Sequence, residues 1–265
     1  MALKDGDFVL VEYSLRVKET GKLIDTTSEE EARKEGIYDP RERYGPRLVI
    51  VGEGRLLPGL EKALKELDEG AEKTLEIQPE DAFGKRDPSK IKILPRNTFI
   101  KSGVVPEPGK IVEINGQLAV IRSITGGRVV VDFNHPLAGR VIEAKIKVVK
   151  ILKAPDEKLL HLLLRRLPPT IKDEDIKVDY NPDEKKARVY MDEKALGIQD
   201  LQAAKRIVVL EAAKYLKDDI KEIEFVEKVR LEREEKKETE AKEEQSGTKE
   251  QEEKQQTGEK AEQQA

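Results

Sequence analysis

The chain has 265 residues, a length that allows two or more domains. Charged residues make up 39% of it, yet the formal net charge is only −4, whereas a nucleic-acid-binding protein would carry a basic excess. The absence of cysteine excludes disulfides, thiolate chemistry and zinc–cysteine sites. Abundant Lys, Glu and Arg are typical of heat-adapted intracellular proteins. No apolar run reaches the length of a membrane span, and the first residues do not resemble a signal peptide. We therefore expect a cytoplasmic protein that binds neither nucleic acid nor membranes.

Alternation of apolar and polar residues predicts the first strand over residues 7–17. The set that contains Val9 and Tyr13 is expected to face the core, and the set that contains Phe8 and Leu10 is expected to form the other face. The sequence then predicts a strand over 23–26, a charged insertion with a short helix over 28–43, and strands over 46–51 and 72–78.

A short helix is predicted between the last two of these strands. Gly52 and Gly54 allow turn conformations closed to other residues, and Pro58 is favoured at the first position of a helix. Leucines then recur at three- and four-residue spacing, which marks one helical face: Leu57, Leu60, Leu64 and Leu67. Because so short a helix is held by packing, we expect a sheet to wrap it and the backbone just before it to form the floor of a binding pocket.

The composition changes at residue 86, where a proline-rich run begins. Strands are predicted over 110–114, 118–124 and 128–133, separated by Asn-Gly and Gly-Gly pairs that favour hairpin turns. Residues 86–133 are therefore interpreted as a small meander. Residues 141–152 alternate as a long strand that has no partner left in the meander, so we expect it to return to the first sheet.

A third unit, of α+β type, follows over residues 154–231. It contains a Leu-rich helix (158–167), a hairpin (176–180 and 187–191), a longer helix (199–216) and a final strand (220–231). The Leu-rich helix and the final strand each suit either pairing with a second copy, giving a homodimer, or packing within the unit. Residues 232–265 carry almost no apolar side chains and are predicted to be a disordered, charged tail.

The chain carries no phosphate-binding loop, nucleophile elbow or histidine pair at metal-ligand spacing. His161 falls in the Leu-rich helix, where a packed or solvated side chain is expected. His135 falls in a loop, where we expect it to hydrogen-bond the backbone rather than to catalyse. Asp25 ends a strand on a side shared with apolar residues, which suits a turn residue and a pocket wall equally.

Five motifs follow one another in the chain: residues 11–14 (VEYS), 21–27 (GKLIDTT), 51–64 (VGEGRLLPGLEKAL), 79–84 (PEDAFG) and 134–139 (NHPLAG). In this order they resemble the motifs of the FKBP-type peptidyl-prolyl cis-trans isomerases, and the resemblance covers roughly residues 4–153. The fifth is similar to the loop that follows the inserted domain in the SlyD-like branch. The charged insertion and the extra C-terminal unit are similar to the long archaeal type of that branch.

The resemblance implies an α+β fold in which an antiparallel sheet wraps around the short helix. It also implies that the meander is an insert-in-flap domain with chaperone activity. The expected domains are a discontinuous isomerase domain (1–85 and 134–153), the inserted chaperone domain (86–133), a C-terminal α+β domain (154–231) and the disordered tail (232–265).

The resemblance further implies the site. Carried over residue by residue, the catalytic positions are Tyr13, Asp25, Leu57 and Phe83, and the substrate pocket adds Ile24, Leu56 and Leu60. Leu60 stands where many members have a tryptophan, Phe83 where many have a tyrosine, and Ala144 near an aromatic residue that closes the pocket. These departures are expected to shorten and dry the pocket and to weaken the binding of macrolide inhibitors. Neither a metal nor a cofactor is implied.

Two functions compete. The first is an isomerase for X-Pro bonds in unfolded polypeptides, which the inserted domain holds near the site. The second is a holdase or ribosome-associated adaptor with a vestigial isomerase site, which Phe83 and Ala144 favour. The apolar candidates for the chain-binding patch, each of which also suits the inserted domain's own core, are Ile91, Ile93, Leu94, Phe99, Ile100, Val104 and Val105.

Overall fold

The computed structural model describes residues 3–101 and 103–228, so the tail predicted over 232–265 lies outside the described residues. In chain order the helices and strands are β1 (Phe8–Val17), β2 (Leu23–Thr26), α1 (Glu29–Lys34), β3 (Arg47–Ile50), α2 (Pro58–Lys65), β4 (Glu72–Ile77), β5 (Ile91–Pro95), α3 (Arg96–Lys101), β6 (Ile111–Ile114), β7 (Gln117–Thr125), β8 (Arg128–Asp132), β9 (Ile142–Leu152), α4 (Pro155–Leu164), β10 (Ile176–Asn181), β11 (Lys186–Met191), α5 (Glu193–Leu196), α6 (Leu201–Tyr215) and β12 (Glu222–Glu227).

Strand β1 is at the centre of a five-stranded antiparallel sheet. Strand β9 pairs with it from Phe8 opposite Leu152 to Val17 opposite Ile142. Strands β2 and β3 each pair with a different part of β1, and β4 lies beyond β9. The predicted return of the long strand after the meander to the first sheet is therefore confirmed.

Helix α2 packs against the inner face of this sheet, as its leucine spacing predicts. Leu60 and Leu64 are buried there among side chains of β1, β3 and β9. Gly59 permits the close approach, because a Cβ atom at this position would lie 2.4 Å from Cγ2 of Ile77 in β4. The contact between helix and sheet therefore depends on the absence of a side chain at Gly59.

The second face of β1 is also buried, which corrects the prediction that only one face lies in a core. Phe8 and Leu10 pack with Leu48 and Ile50 of β3 against the C-terminal unit. The ring of Phe8 meets that of Tyr215 edge to face at 6.2 Å. The first sheet therefore has α2 on one face and the C-terminal unit on part of the other.

The C-terminal unit combines the three-stranded antiparallel sheet β10-β11-β12 with α4 and α6. The predicted Leu-rich helix is α4, and its buried leucines belong to the core shared with the first sheet. These leucines are therefore covered within the chain, and of the two predicted dimerisation elements only β12 lies at a sheet edge.

The inserted unit is a four-stranded antiparallel sheet in the order β5-β8-β7-β6, with α3 beside β5. Three strands were predicted, and the additional one is β5. It was missed because prolines punctuate that run, but Pro95 is tolerated since it ends a strand at the edge of the sheet.

A buried carboxylate ties together the two chain crossings that join the inserted unit to the first sheet. Asp132 is fully buried and accepts hydrogen bonds from Arg86 at 2.6 Å and Arg122 at 3.0 Å. Asn134 donates to Asp132 and to the carbonyl of Asp87. Burial alone would raise the pKa of Asp132, but the bonds from Asn134 and Arg122 and the charge of Arg86 outweigh it and lower the pKa to about 2. The junction therefore keeps its charge at neutral pH.

Candidate active site

Tyr13 and Asp25 meet where β1 and β2 run side by side. The Tyr13 hydroxyl donates a 2.8 Å hydrogen bond to Oδ2 of Asp25. Thr27 fixes the backbone of Tyr13, since the Tyr13 N–H donates to Thr27 Oγ1 at 2.9 Å and the Thr27 N–H donates to the Tyr13 carbonyl at 2.9 Å. The Asp25 carboxylate therefore faces the Tyr13 hydroxyl, and its role as a pocket wall stays a prediction.

Arg47, the first residue of β3, completes this group and was not among the predicted site residues. Its Nη1 donates to the Tyr13 hydroxyl, and the same nitrogen lies 3.8 Å from Oδ2 of Asp25. Its Nη2 lies 3.7 Å from Glu42. A signal was present in the sequence. Arg47 lies two residues before Val49, so the two side chains share one face of the strand, and Val49 lies in the core around α2. An arginine therefore occupies an inward position.

The Tyr13 phenol is held in its protonated form. Burial raises its pKa first, and the negative charge of Asp25 raises it further, whereas the charge of Arg47 opposes both. The hydroxyl therefore remains a donor to Asp25 at physiological pH. One wall of the site is thus a fixed polar network, which the expectation of a dry pocket did not include.

The loop between β3 and α2 places the predicted apolar wall. Leu56 and Leu57 are partly buried against the core, while Leu60 lies beneath them with 1% of its surface exposed. Leu57 immediately precedes the helix with φ −57° and ψ 139°. Among the described residues, no protein acceptor takes a hydrogen bond from the Leu57 N–H. This amide is therefore available to a ligand.

Phe83 lies in one of two further loops that pack together next to the same core. Its ring stacks on that of His135 with centroids 4.8 Å apart and planes parallel to within 1°. Nδ1 of His135 accepts the Leu137 N–H at 3.2 Å, and the Gly139 N–H donates to the Gly84 carbonyl at 2.9 Å. His135 therefore orders backbone, as predicted, and also supports Phe83. Ala144 is fully buried in β9, and Ile24 packs at the edge of the core.

A groove of about 700 Å³ lies between the first sheet and the C-terminal unit. On the side of the first sheet and α2 it is lined by Tyr13, Arg47 and Leu56, and on the C-terminal side by Arg165 and Leu167. His161 lines the groove as well, and burial lowers its pKa, so the imidazole is neutral at physiological pH.

Family models match three successive parts of the chain. The model described as FKBP-type peptidyl-prolyl cis-trans isomerase matches residues 1–100, the FKBP26 IF domain matches 92–137, and the FKBP26 C-terminal model matches 155–230. The short-type peptidyl-prolyl cis-trans isomerase of Methanocaldococcus jannaschii is 39% identical over 155 residues, which span 58% of this chain and 98% of that protein. The chain belongs to the FKBP-type peptidyl-prolyl cis-trans isomerases.

Two bacterial relatives add to this assignment. The FKBP-type 16 kDa isomerase of Escherichia coli is 34% identical over 155 residues, 57% of this FKBP-type chain and 94% of that protein. The isomerase SlyD of Helicobacter pylori is 28% identical over 156 residues, 57% of this chain and 76% of that protein. The predicted family and the predicted enzyme class are thereby confirmed.

The apolar candidates in the inserted unit of this FKBP-type isomerase divide into two groups. The prediction of Phe99 as part of a surface patch is wrong, because its ring is buried in the unit's own core. Leu94 and Val104 pack against that core. Ile91 is half-buried. Ile93, Ile100 and Val105 are exposed, as are two residues that the sequence interpretation omitted, Ile111 and Leu118.

In the part of the isomerase that the structure describes, no group of three or more His, Cys, Asp or Glu side chains is arranged to hold a metal ion. Within the same residues, every helix is too short or too polar to cross a membrane.

Proposed function

We propose that this isomerase binds the proline of an X-Pro segment between Leu56, Leu57 and Phe83, above Leu60 as the floor, with Ile24 at the margin. The observation that carries this placement is the Tyr13–Asp25–Arg47 network. Tyr13 and Arg47 line the same groove as Leu56, which directly precedes the unused Leu57 N–H. Apolar contacts then suit the ring, and the polar groups suit the peptide units on either side of it.

The reaction needs no proton transfer or nucleophile. An X-Pro bond isomerises over a barrier of about 18–20 kcal/mol that arises from amide resonance, and unaided it takes tens to hundreds of seconds. An enzyme has only to bind the twisted amide more tightly than the planar one. An apolar pocket withdraws the water that stabilises the planar, polar form, and the Leu57 N–H holds a substrate carbonyl while the bond turns.

Asp25 acts in this scheme by holding Tyr13, which presents its ring to the pocket. Its carboxylate accepts the hydrogen bond of the phenol and sits beside Arg47, so the charge is neutralised locally. The alternative role, attraction of the displaced carbonyl carbon, requires that the carboxylate face the substrate. Its bond to Tyr13 favours the positioning role.

Asp25→Ala is expected to lower kcat/KM for a short X-Pro peptide by about tenfold, because loss of one hydrogen bond to a charged group costs roughly 1.5–3 kcal/mol. A protease-free isomerisation assay measures it. Asp39→Ala is the matched control, since Asp39 lies in the charged insertion and makes an exposed ion pair there with Arg41. Equal rates for wild type and Asp25→Ala would show that the proline site does not lie beside Tyr13 and Asp25.

The inserted unit is proposed to hold unfolded chains near this site. Ile93, Ile111 and Leu118 alternate along their strands with core residues, so they lie on the sheet face opposite the core. Isolated exposed apolar residues are ordinary, but this face carries one on each of three strands. An outer apolar face of this kind suits unfolded polypeptide, which would raise the local concentration of X-Pro segments.

Leu118→Ser is expected to weaken suppression of aggregation of an unfolded protein severalfold while leaving turnover of a short X-Pro peptide unchanged. Leu210→Ser on α6 is the control, because Leu210 is 64% exposed and Leu118 69%. Light scattering of the aggregating substrate gives the first readout and the peptide assay the second. Suppression without peptide isomerisation by the wild type would instead favour the holdase alternative.

Four further proposals rest on the sequence. The domain boundaries at residues 85, 133 and 153 stay predictions, as do a cytoplasmic location and the absence of nucleic-acid binding. Homodimerisation through the C-terminal unit also stays a prediction. With α4 buried, it would use the free edge of β12, and light scattering of the full chain measures it.

A further inference from the structure

A network of buried charges joins the C-terminal unit to the loop that presents Leu56 and Leu57. Arg165, at the end of α4, makes a two-pronged contact with the Glu53 carboxylate at 2.8 and 3.2 Å. Its Nη2 also lies 2.9 Å from Glu211 of α6. The three side chains are only 9%, 11% and 12% exposed, in the order Arg165, Glu53, Glu211. Glu53 is therefore fixed four residues before the Leu57 amide.

Two more arginines enclose this network. Arg55, in the same loop, contacts Glu53 at 3.1 Å and Glu211 at 3.5 Å. Arg166 donates to Glu211 from the other side. Burial by itself would raise the pKa of Glu211, but the hydrogen bonds from Arg166 and Arg165 outweigh it and lower the pKa. The loop is thus held by a network in which the Glu211 carboxylate stays ionised at physiological pH.

A second connection reaches the polar wall of the site. Arg43, in the charged insertion, donates to the carbonyls of Pro168 at 3.0 Å and Ile171 at 2.7 Å, just beyond α4. Four residues later Arg47 contacts Tyr13. The segment that carries Arg47 and the loop that carries Leu57 therefore both attach to the C-terminal unit, and Arg47 and Leu56 both line the groove.

We propose that the C-terminal unit is a positioning element of the isomerase site. Arg165 holds the loop that presents Leu56 and the Leu57 N–H, and the carbonyls after α4 hold, through Arg43, the segment that presents Arg47 to Tyr13. The inference rests on the placement of the proline site proposed above. It assigns Arg165 as a positioning residue, which acts on the substrate through Glu53 and the loop.

The alternative is that these charges only attach one unit to the other. Such attachment predicts lower stability on removal of Arg165 with no change in substrate binding. Positioning predicts a weaker binding of substrate, because a loop that samples several conformations binds only in the competent fraction of its population. Once substrate has ordered the loop, turnover proceeds at the normal rate. The two roles therefore differ in KM.

In the full chain, Arg165→Met is expected to raise KM for a short X-Pro peptide about tenfold with kcat within about twofold of wild type. Lys150→Met is the matched control. Lys150 also bridges the first sheet and α4, through a 2.7 Å ion pair with Glu157. It contacts neither the loop that carries Leu57 nor the segment that carries Arg47. Its KM is expected to stay at the wild-type value. An unchanged KM for folded Arg165→Met would overturn the proposal.

Two further variants keep the outcome decisive. If Arg165→Met does not fold by circular dichroism, Glu53→Gln removes the charge but keeps the shape of the side chain, and it is expected to raise KM severalfold. Asp25→Ala is assayed beside both. Loss of activity in Asp25→Ala with a normal KM in the Arg165 and Glu53 variants overturns the positioning role alone. Normal kinetics in all of them overturns the placement of the site as well.

Discussion

Gly59→Ala is expected to lower the free energy of unfolding by about 2 kcal/mol, the usual cost of forcing extra volume into a packed core. The new methyl would lie 2.4 Å from Cγ2 of Ile77, far inside contact distance. Ile77 is itself buried, with 2% of its surface exposed. At an unobstructed helix position the same change would stabilise by roughly 1 kcal/mol. Urea unfolding of both proteins measures the difference.

Gly197→Ala provides the control for this prediction. Gly197 caps the short helix α5 at a negative φ of −76°, and a Cβ atom there would meet only the Lys194 carbonyl at 3.9 Å. Its unfolding free energy is expected to stay within about 0.5 kcal/mol of wild type. Ile77→Ala removes the obstructing methyl, so Gly59→Ala should cost less in that background. Equal stability of Gly59→Ala and wild type would mean that α2 does not approach β4 as described.

Leu57→Pro is expected to lower kcat/KM for an X-Pro peptide by about tenfold to a hundredfold, since an unpaired substrate carbonyl costs roughly 1–3 kcal/mol. The backbone at Leu57, with φ −57°, already matches the angle that proline requires. The change therefore removes the N–H without forcing the chain to a new φ. A protease-free assay over a range of substrate concentrations measures the loss.

Leu57→Ala separates the amide from the side chain. It keeps the N–H and loses part of an apolar side chain that is already partly exposed, so only a severalfold loss is expected. Circular dichroism of both variants checks that α2 still forms. If Leu57→Pro and Leu57→Ala lose activity equally, the amide does not contribute and the side chain alone binds the proline.

Local patterns were sufficient for the part of the molecule around α2. The leucine spacing from Leu57 onward fixed which helix face is buried, and the alternation of residues 141–152 located the strand that returns beside β1. These features depend on neighbours within one element or on a strand that had no alternative partner. The motifs of the FKBP-type family then placed Tyr13 and Asp25, which the structure brings within 2.8 Å.

Features that depend on distant residues were missed. Nothing near Phe8 and Leu10 indicates that a unit some 150 residues later covers them, because alternation shows that a strand has two faces and not what lies on each. Arg47 was missed because it lies outside the five family motifs, between the motif that ends at residue 27 and the one that begins at residue 51. Phe99 and Ile93 have similar apolar neighbours in sequence, and only the folded unit separates the buried ring from the exposed side chain.

Strands β1 and β3 share a core with the C-terminal unit. The side chains that these strands can carry therefore depend on whether that unit is present. A form of this protein that ended at residue 153 would present a contiguous strip of Phe8, Leu10, Leu48 and Ile50 to water. Large exposed apolar patches promote association. Loss or gain of the C-terminal unit during evolution, or its removal by an engineer, would therefore require simultaneous polar replacements on two strands that lie outside the removed segment.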